Sequence, residues 1–183
     1  MKVYSTEFPG LFILEPQIFQ DKRGFFVETY NAKVFVKLGL NYTFVQDNHA
    51  FSKIKGVLRG LHYQIPPMAQ AKLVRVARGR VFDVVLDLRK GSPTFGKTFS
   101  IELSAEEGKQ LLIPRGFAHG YLVLEDNTDF IYKVDNFYSK EHERGVYYDD
   151  PQLNINWPMK DVILSEKDKK QPFFNDLEIV FDF

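Results

Sequence analysis

His62 lies in the middle of a strand-like run, VLRGLHYQ, at residues 57–64. An imidazole titrates near neutral pH, so it can act as a general base without a large shift of its pKa. The structural alternative is a buried, hydrogen-bonded strand histidine, which is the default for a histidine taken at random. The neighbours of His62 therefore decide between the two roles.

Strand alternation predicts which neighbours share a face with His62. Successive side chains of a strand point to opposite sides, so Gly60 and Gln64 would share its face. Arg59 and Leu61 would then lie on the other face. His62 is thus predicted to face a cavity while Leu61 packs outward into a sheet contact.

Lys72 is a second candidate for chemistry. Residues 71–89, AKLVRVARGRVFDVVLDLR, form two β-rich runs broken at Arg78-Gly79, where glycine suits a tight hairpin turn. Lys72 would share an inward face with Val74 and Val76. A lysine is costly to bury without an anionic partner. We therefore expect Lys72 either to reach solvent or to meet negative charge in a pocket.

The elements that position these residues are mostly strands. Helical signals are limited to NAKVFVKLG, with Asn31 as the N-cap and Gly39 at its end, and to one short turn at SEKDKK. About ten short strands with little helix predict an all-β sandwich or small barrel. No repeat or linker divides the chain, so we expect one domain over residues 1–183. Further strands are predicted at residues 12–18, 24–30, 43–50, 57–63, 98–103, 110–113, 120–124 and 129–135.

The composition excludes several classes of function. The 24 basic and 24 acidic side chains cancel, so no global positive field favours nucleic acid or an anionic membrane. The absence of cysteine excludes disulfides and thiolate metal sites and fits a reducing cytoplasm. No apolar run approaches the roughly 20 residues that cross a bilayer, and MKVYSTEFPG has no apolar signal core. We expect a soluble cytoplasmic protein that acts on a small molecule.

The stretch GKQLLIPRGFAH, residues 108–119, resembles the second motif of the cupin superfamily of jelly-roll barrels. In that superfamily the proline and the second glycine shape a tight turn, and the histidine, here His119, points into the barrel. The first cupin motif carries a His-x-His pair and a glutamate as metal ligands. Gln64 stands here in place of the second histidine. We therefore expect no metal site.

Motifs along nearly the whole chain resemble the dTDP-4-dehydrorhamnose 3,5-epimerase family. They are EPQIFQDKRGFFVETYN, VLRGLHYQ, AKLVRV, IPRGFAHGYLVL, IYKVDNFYS, YYDDPQLNINWP and ILSEKD. The resemblance implies a cupin-like jelly roll with a few short helices, a homodimer, and an isomerase that uses no metal or organic cofactor. It implies a nucleotide diphosphate sugar substrate, dTDP-4-dehydro-6-deoxy-D-glucose. Inversion of its C3 and C5 gives dTDP-4-dehydro-L-rhamnose for dTDP-L-rhamnose biosynthesis.

This chemistry explains the residue types. C3 and C5 of a 4-keto sugar flank the carbonyl, so loss of either proton leaves an enolate with its charge on the C4 oxygen. A base removes the proton, an acid returns one to the opposite face, and a cation stabilises the oxyanion. By resemblance His62 is the base, Tyr132 is the acid and Lys72 stabilises the enolate. Asp168 would hydrogen-bond to the imidazole and fix its tautomer.

Several of these residues have structural alternatives. Tyr132 also fits a core strand position. Asp168 closes SEKD, which reads as a helix capping box with Ser165 as the N-cap. The residues alone favour the cap and the resemblance favours the dyad, and we expect the two roles to compete for one carboxylate. A solvated hairpin accounts for Arg78 and Arg80.

The resemblance also implies binding residues, taken one position at a time. Arg23 and Arg59 suit phosphate oxygens, and Tyr138 matches the residue that stacks on thymine. Phe26 and Glu28 would come from a neighbouring subunit, so that a dimer completes the site. The other implied contacts are Gln46, Asp47, Asn48, Lys72, His119, Glu143 and Lys167.

Two features depart from the family pattern and leave rival functions open. Tyr147 and Tyr148 stand where many relatives carry tryptophan, and IPPMAQAK lengthens the approach to Lys72. The nearest rival is a sister enzyme that inverts only C3 or only C5, or that uses another nucleotide such as GDP. Rivals of another class are a metal cupin and a non-catalytic cupin that binds sugar nucleotides.

Overall fold

The computed structural model describes residues 1–183, which fold almost entirely into β-strands. The strands are β1 (Lys2–Ser5), β2 (Phe12–Glu15), β3 (Ile18–Asp21), β4 (Gly24–Val27), β5 (Gln46–Ser52), β6 (Leu58–Gln64), β7 (Lys72–Arg78), β8 (Arg80–Asp87), β9 (Arg89–Lys90), β10 (Thr98–Ser104), β11 (Gln110–Ile113), β12 (Phe117–Val123), β13 (Thr128–Val134), β14 (Glu143–Gly145) and β15 (Phe181–Asp182). One α-helix, α1 (Ala32–Lys37), and two 3-10 turns at Asp168–Lys170 and Phe174–Asp176 complete the chain. The predicted all-β class is confirmed.

Two antiparallel sheets form the sandwich. The first has six strands in the order β1-β2-β11-β7-β13-β5, and the second has five in the order β10-β8-β12-β6-β14. β3 and β4 pair in a separate hairpin, and the short β9 and β15 pair in parallel. This arrangement is the predicted cupin-like jelly roll.

Alternate side chains of both sheets meet in the core between them. Val74 and Val76 of β7 and Phe130 of β13 come from the first sheet, and Val85 of β8 and Tyr121 of β12 come from the second. All five are buried, and apolar burial of this kind contributes about 1.5–3 kcal/mol per large side chain. The core therefore fixes how the inner faces of the two sheets oppose each other.

The outer face of the first sheet is covered in part by α1. Asn31 caps the helix, with its Oδ1 accepting from the backbone N–H groups of Lys33 at 3.0 Å and Val34 at 3.3 Å. Phe35 of α1 packs against Leu73, which points away from the face that carries Val74. The predicted helix and its cap are confirmed. No helix of the structure is long and apolar enough to cross a membrane.

The predicted tight hairpin at Arg78-Gly79 is wrong. Gly79 does take a positive φ of 80°, but β7 pairs with β11 and β13, whereas β8 pairs with β10 and β12. Both strands carry an apolar inner face, and the chain buries both by crossing from one sheet to the other at this turn. An alternating pattern identifies a strand but not its partner.

Candidate active site

A cavity of about 390 Å³ lies between the two sheets and collects most of the chemistry-bearing residues. A smaller pocket of about 130 Å³ adjoins it, and both are lined by His62, Lys72 and Tyr132. The other polar residues of the cavity are Arg59, His119, Tyr121, Ser165, Lys167 and Asp168. The smaller pocket adds Gln46, Asn48, Gln64, Gln70, Tyr138 and Glu143.

A β-bulge in β6 brings Arg59 and His62 to the same cavity. His62 lies opposite His119 of β12, and Arg59 lies opposite Tyr121. Two residues of β6 between these pairs therefore face a single residue of β12, which is the definition of a bulge. The prediction from strict alternation is wrong for Arg59, because the extra residue reverses its face. It holds for His62, which faces the cavity.

Gly60 makes the bulge possible. Its φ is 123°, and a Cβ at this position would lie 2.5 Å from the Cα of Gly120 and 2.8 Å from the backbone oxygen of His119. Any side chain would collide with β12. The glycine therefore sets the local path of the strand that carries Arg59 and His62.

Asp168 hydrogen-bonds to His62 and to Ser165 at the same time. His62 Nε2 and Asp168 Oδ1 are 2.5 Å apart, and Oδ2 accepts from the Ser165 hydroxyl at 2.8 Å. Ser165 Oγ in turn accepts from the backbone N–H of Asp168 at 3.1 Å. The expected competition is wrong, because His62 and Ser165 bind different carboxylate oxygens. Ser165 is also not the N-cap of the 3-10 turn, which begins after Lys167 and has no side-chain cap.

The ionisation of Asp168 determines which nitrogen of His62 carries the proton. Burial alone would raise the pKa of Asp168, but the hydrogen bonds from His62 and Ser165 outweigh it and lower that pKa. An ionised carboxylate only accepts hydrogen bonds, so Nε2 of His62 is the donor. Nδ1 is then the nitrogen of the neutral ring that can take a proton.

Lys72 lies across the cavity from His62, on β7. Its Nζ donates to the backbone oxygen of His62 at 3.3 Å. Burial lowers the pKa of Lys72 to about 8, although the carboxylates of Asp83 and Glu143 oppose the shift. We predicted that Lys72 would either reach solvent or lie in a pocket, and the structure places it in the pocket. It is partly buried there.

His119 forms a second pair with a carboxylate, that of Asp83. His119 Nε2 lies 2.9 Å from Oδ2 and 3.1 Å from Oδ1 of Asp83, and both side chains are buried. Burial raises the pKa of Asp83 and lowers that of His119. The sequence reasoning missed Asp83. The signal was a single carboxylate in the apolar run VFDVVL, on the face that carries Val81 and Val85.

Tyr132 lines the cavity from the sheet that faces His62. His62 is on β6 of the five-stranded sheet, and Tyr132 is on β13 of the six-stranded sheet. Burial raises the pKa of Tyr132, against the opposing charge of Arg59 and with a smaller contribution from Glu143. The phenol therefore stays protonated near neutral pH, as a proton donor must.

The smaller pocket brings together several of the predicted binding residues. Tyr138 is 55% exposed, and its hydroxyl donates to Glu143 Oε2 at 2.9 Å. Lys167 Nζ lies 2.5 Å from the same oxygen. Gln46 and Asn48 hydrogen-bond to each other at 2.9 Å on the inner face of β5. A flat, exposed aromatic ring thus adjoins a set of polar side chains.

Gln64, at the position of the missing cupin ligand, holds the loop that carries Tyr138. Its amide nitrogen donates to the backbone oxygens of Met68 at 2.6 Å and Phe137 at 3.1 Å, and its oxygen accepts from Ser139 N at 2.7 Å. The side chain is buried. The structure has no group of three or more His, Cys, Asp or Glu side chains arranged to hold a metal ion.

Four of the predicted binding residues lie outside the cavity of this chain. Asp47 points from the outer face of β5 and pairs with Lys133 at 2.7 Å. Arg23 pairs with Asp21 at 2.6 Å at the turn of the β3–β4 hairpin. Phe26 is 70% exposed on that hairpin, and Glu28 is exposed just after it. The structure thus brings none of the four to the reacting groups within one subunit.

The chain is similar in sequence and in fold to known proteins of one family. A family model described as dTDP-4-dehydrorhamnose 3,5-epimerase matches residues 5–176. The dTDP-4-dehydrorhamnose 3,5-epimerase of Shigella flexneri is 56% identical over 169 residues, which cover 92% of this chain and 93% of that protein. Two solved structures of such enzymes extend the likeness to the fold.

The first is the Bacillus anthracis enzyme, solved with TDP and PPi bound. It is 48% identical with a TM-score of 0.92, over 94% of this chain and 98% of that one. The second is the Legionella pneumophila enzyme in complex with dTDP-4-keto-L-rhamnose, 45% identical with a TM-score of 0.95, over 100% of this chain and 98% of that one. Sequence and fold agree over nearly the full length, and the chain therefore belongs to the dTDP-4-dehydrorhamnose 3,5-epimerase family.

Proposed function

We propose that this chain is an isomerase that inverts C3 and C5 of dTDP-4-dehydro-6-deoxy-D-glucose and releases dTDP-4-dehydro-L-rhamnose for dTDP-L-rhamnose biosynthesis. The main support is that His62 and Tyr132 line one cavity from opposing sheets. A hexose between them presents one ring face to the imidazole and the other face to the phenol. Inversion at a carbon requires this opposition, because the proton leaves from one face and returns to the other.

The steps follow from the contacts of each group. His62 takes the proton from C3 or C5, and the Asp168 carboxylate stabilises the imidazolium that forms. The electron pair of the broken C–H bond becomes an enolate whose charge lies on the C4 oxygen, next to the Lys72 ammonium. Tyr132 then gives its proton to the opposite face of the same carbon. Exchange with solvent restores both groups, and the cycle repeats at the second carbon.

In this proposal the base of the nucleotide occupies the smaller pocket and its diphosphate reaches into the larger cavity. Tyr138 offers its exposed ring to thymine, and Arg59 and Lys167 supply positive charge for the phosphates. Gln46, Asn48 and Glu143 are the remaining polar contacts within the chain. His119, held by Asp83, lies beside the sugar.

We further propose a homodimer, in which the β3–β4 hairpin of one subunit completes the site of the other. Ile18, Phe19, Phe25 and Phe26 of this hairpin are 38% to 70% exposed, a cluster of apolar surface that water disfavours. Arg23, Phe26 and Glu28 would then reach the neighbour's cavity. Residues 1–183 act as a single domain in this arrangement, and the absence of cysteine fits a cytoplasmic enzyme.

Incubation with dTDP-4-dehydro-6-deoxy-D-glucose in heavy water tests the reaction. We expect deuterium at both C3 and C5 and product of the rhamnose configuration, read by NMR. Deuterium at one carbon alone would indicate a mono-epimerase. Tight binding with no exchange would indicate a non-catalytic module, and turnover of only the GDP-linked sugar would indicate another nucleotide.

Replacement of His62 by Ala tests the base in the same assay. We expect no deuterium at either carbon above the uncatalysed background. The matched control is His49→Ala, because His49 is an exposed histidine that pairs with Asp129 outside the cavity. Exchange at the normal rate in the His62 variant contradicts the assignment of the base.

A further inference from the structure

Tyr121 is one of the residues that line the cavity, and its hydroxyl is buried without a hydrogen-bond partner in the protein. The residue lies on β12, two positions after His119, and is only 5% exposed. Two buried side-chain polar atoms of the chain lack a hydrogen bond, Gln110 Oε1 and this hydroxyl. Only Tyr121 lines the cavity. Leaving a buried hydroxyl unpaired costs stability, so a ligand group is the natural partner for it.

Stacking fixes the direction of this hydroxyl. The Tyr121 ring lies on the ring of Phe130, with centroids 3.9 Å apart and planes 19° from parallel. Phe130 in turn packs near Tyr132, with centroids 6.1 Å apart. Since the ring is held on one side by β12 and on its face by Phe130, only the hydroxyl torsion is free. The position of the Tyr121 hydroxyl oxygen is therefore already fixed in the ligand-free protein.

The surroundings indicate a neutral donor near the sugar. Burial raises the pKa of Tyr121 well above that of a free tyrosine, so its hydroxyl keeps its proton through the physiological range. Tyr121 lines the larger cavity but not the pocket of Tyr138. It therefore lies in the cavity of the reacting groups His62, Lys72 and Tyr132, opposite Arg59 of β6. A neutral hydroxyl suits a hydroxyl or carbonyl oxygen of a hexose, whereas phosphate oxygens are better served by cations.

We propose that the Tyr121 hydroxyl contacts the substrate and donates a hydrogen bond to an oxygen of the hexose. Tyr121 thereby helps to orient the ring between His62 and Tyr132 and selects sugars with an oxygen at that position. This inference deepens the proposed epimerase function and rests on it.

The Tyr121→Phe variant tests the contact, because it removes one oxygen and keeps the ring that stacks on Phe130. We expect kcat/KM for dTDP-4-dehydro-6-deoxy-D-glucose to fall about tenfold, the size of one hydrogen bond to a ligand. The affinity for dTDP, which lacks the hexose, should be unchanged. The Tm of the free protein should be unchanged or higher, because an unpaired hydroxyl is removed.

The matched control is Tyr42→Phe. Tyr42 packs in the apolar cluster beside α1, outside the cavity, and we expect its loss of a hydroxyl to leave kcat/KM unchanged. Normal kcat/KM in Tyr121→Phe overturns the inference, as does an equal loss of dTDP affinity. A Tm below that of the control shows that the hydroxyl has a protein partner and also overturns it. If the unaltered protein does not turn over the sugar nucleotide, the proposed function fails, and this inference fails with it.

Discussion

At the scale of single residues, the Asp168 carboxylate ties the imidazole to a turn of the backbone. One oxygen holds His62 and the other holds Ser165, so the carboxylate cannot rotate without losing one of the two. The Ser165 contact is therefore a positioning contact that acts on the ring through Asp168. This is how a short 3-10 turn near the C-terminus fixes the tautomer of a residue on a central strand.

Tyr132→Phe should separate the two proton transfers. The variant keeps His62 and Lys72, so the enolate still forms and deuterium still enters from solvent. Net inversion should fall by about 10²–10⁴-fold, because the acid on the far face is gone. Deuterium content and product configuration, measured together by NMR, check this. Tyr42→Phe, at a tyrosine outside both pockets, is the control, and normal product formation by the Tyr132 variant would contradict the role.

The pH dependence should report the charge of Lys72. Burial lowers its pKa to about 8 in the free protein, so the ammonium that we propose as the partner of the enolate is lost as the pH rises through that value. We expect kcat/KM to fall on the alkaline side of about pH 8. The variant Lys72→Arg keeps its charge far above this pH, so its own kcat/KM, although lower, should stay level there. A profile of the natural enzyme that is flat from about pH 7 to 9.5 would show that this cation is not required.

Some residues of the site could not be predicted from their own segments. Asp83 and Tyr121 fall in apolar runs of the sequence. Asp83 is recognised only by its contact with His119 on another strand, and Tyr121 only by a buried hydroxyl without a hydrogen-bond partner. Asp168 could be predicted for two roles, but only the folded chain shows that its two oxygens bind two partners at once. His62, Lys72 and Tyr132 could be predicted to meet because family motifs mark them.

At the scale of the elements, the bulge in β6 determines which side chains meet. Alternation within β6 predicts the direction of His62, but Arg59 depends on its register with β12, about 60 residues away along the chain. The same limit explains the wrong hairpin between β7 and β8. Strand positions are local properties of a sequence, whereas partners and bulges depend on packing between distant segments.

Gly60→Ala should disrupt this bulge. The added Cβ meets the backbone of β12 at 2.5 Å, and we expect a loss of about 2–4 kcal/mol in the free energy of unfolding from strain and overpacking. Activity should fall further, because Arg59 and His62 flank the altered residue. Gly91→Ala is the matched control, since Gly91 also has a positive φ but a methyl group added there would have nothing within 4 Å. Equal stability of the two variants, by thermal unfolding, would show that the close approach does not matter.

At the scale of the whole molecule, the exposed hairpin should control assembly. Phe19 is 53% exposed and pairs with Phe26 across the hairpin, so Phe19→Asp places a charge in the proposed subunit interface. We expect a dimer for the natural chain and a monomer for this variant in sedimentation experiments. Phe51→Asp, at a comparably exposed phenylalanine on β5, should stay dimeric. A natural chain that is monomeric at micromolar concentration would remove the basis for a shared site.

The proposed base lies on one sheet and the proposed acid on the other, so the distance between the sheets should affect the rate of the reaction. Sheets pack about 10 Å apart, and the spacers here are aliphatic and aromatic side chains such as Val74, Val85 and Phe130. Replacing one of these side chains with a smaller one would change the distance between the sheets and therefore the space available to the hexose ring. Turnover would then respond to a substitution that never touches a ligand.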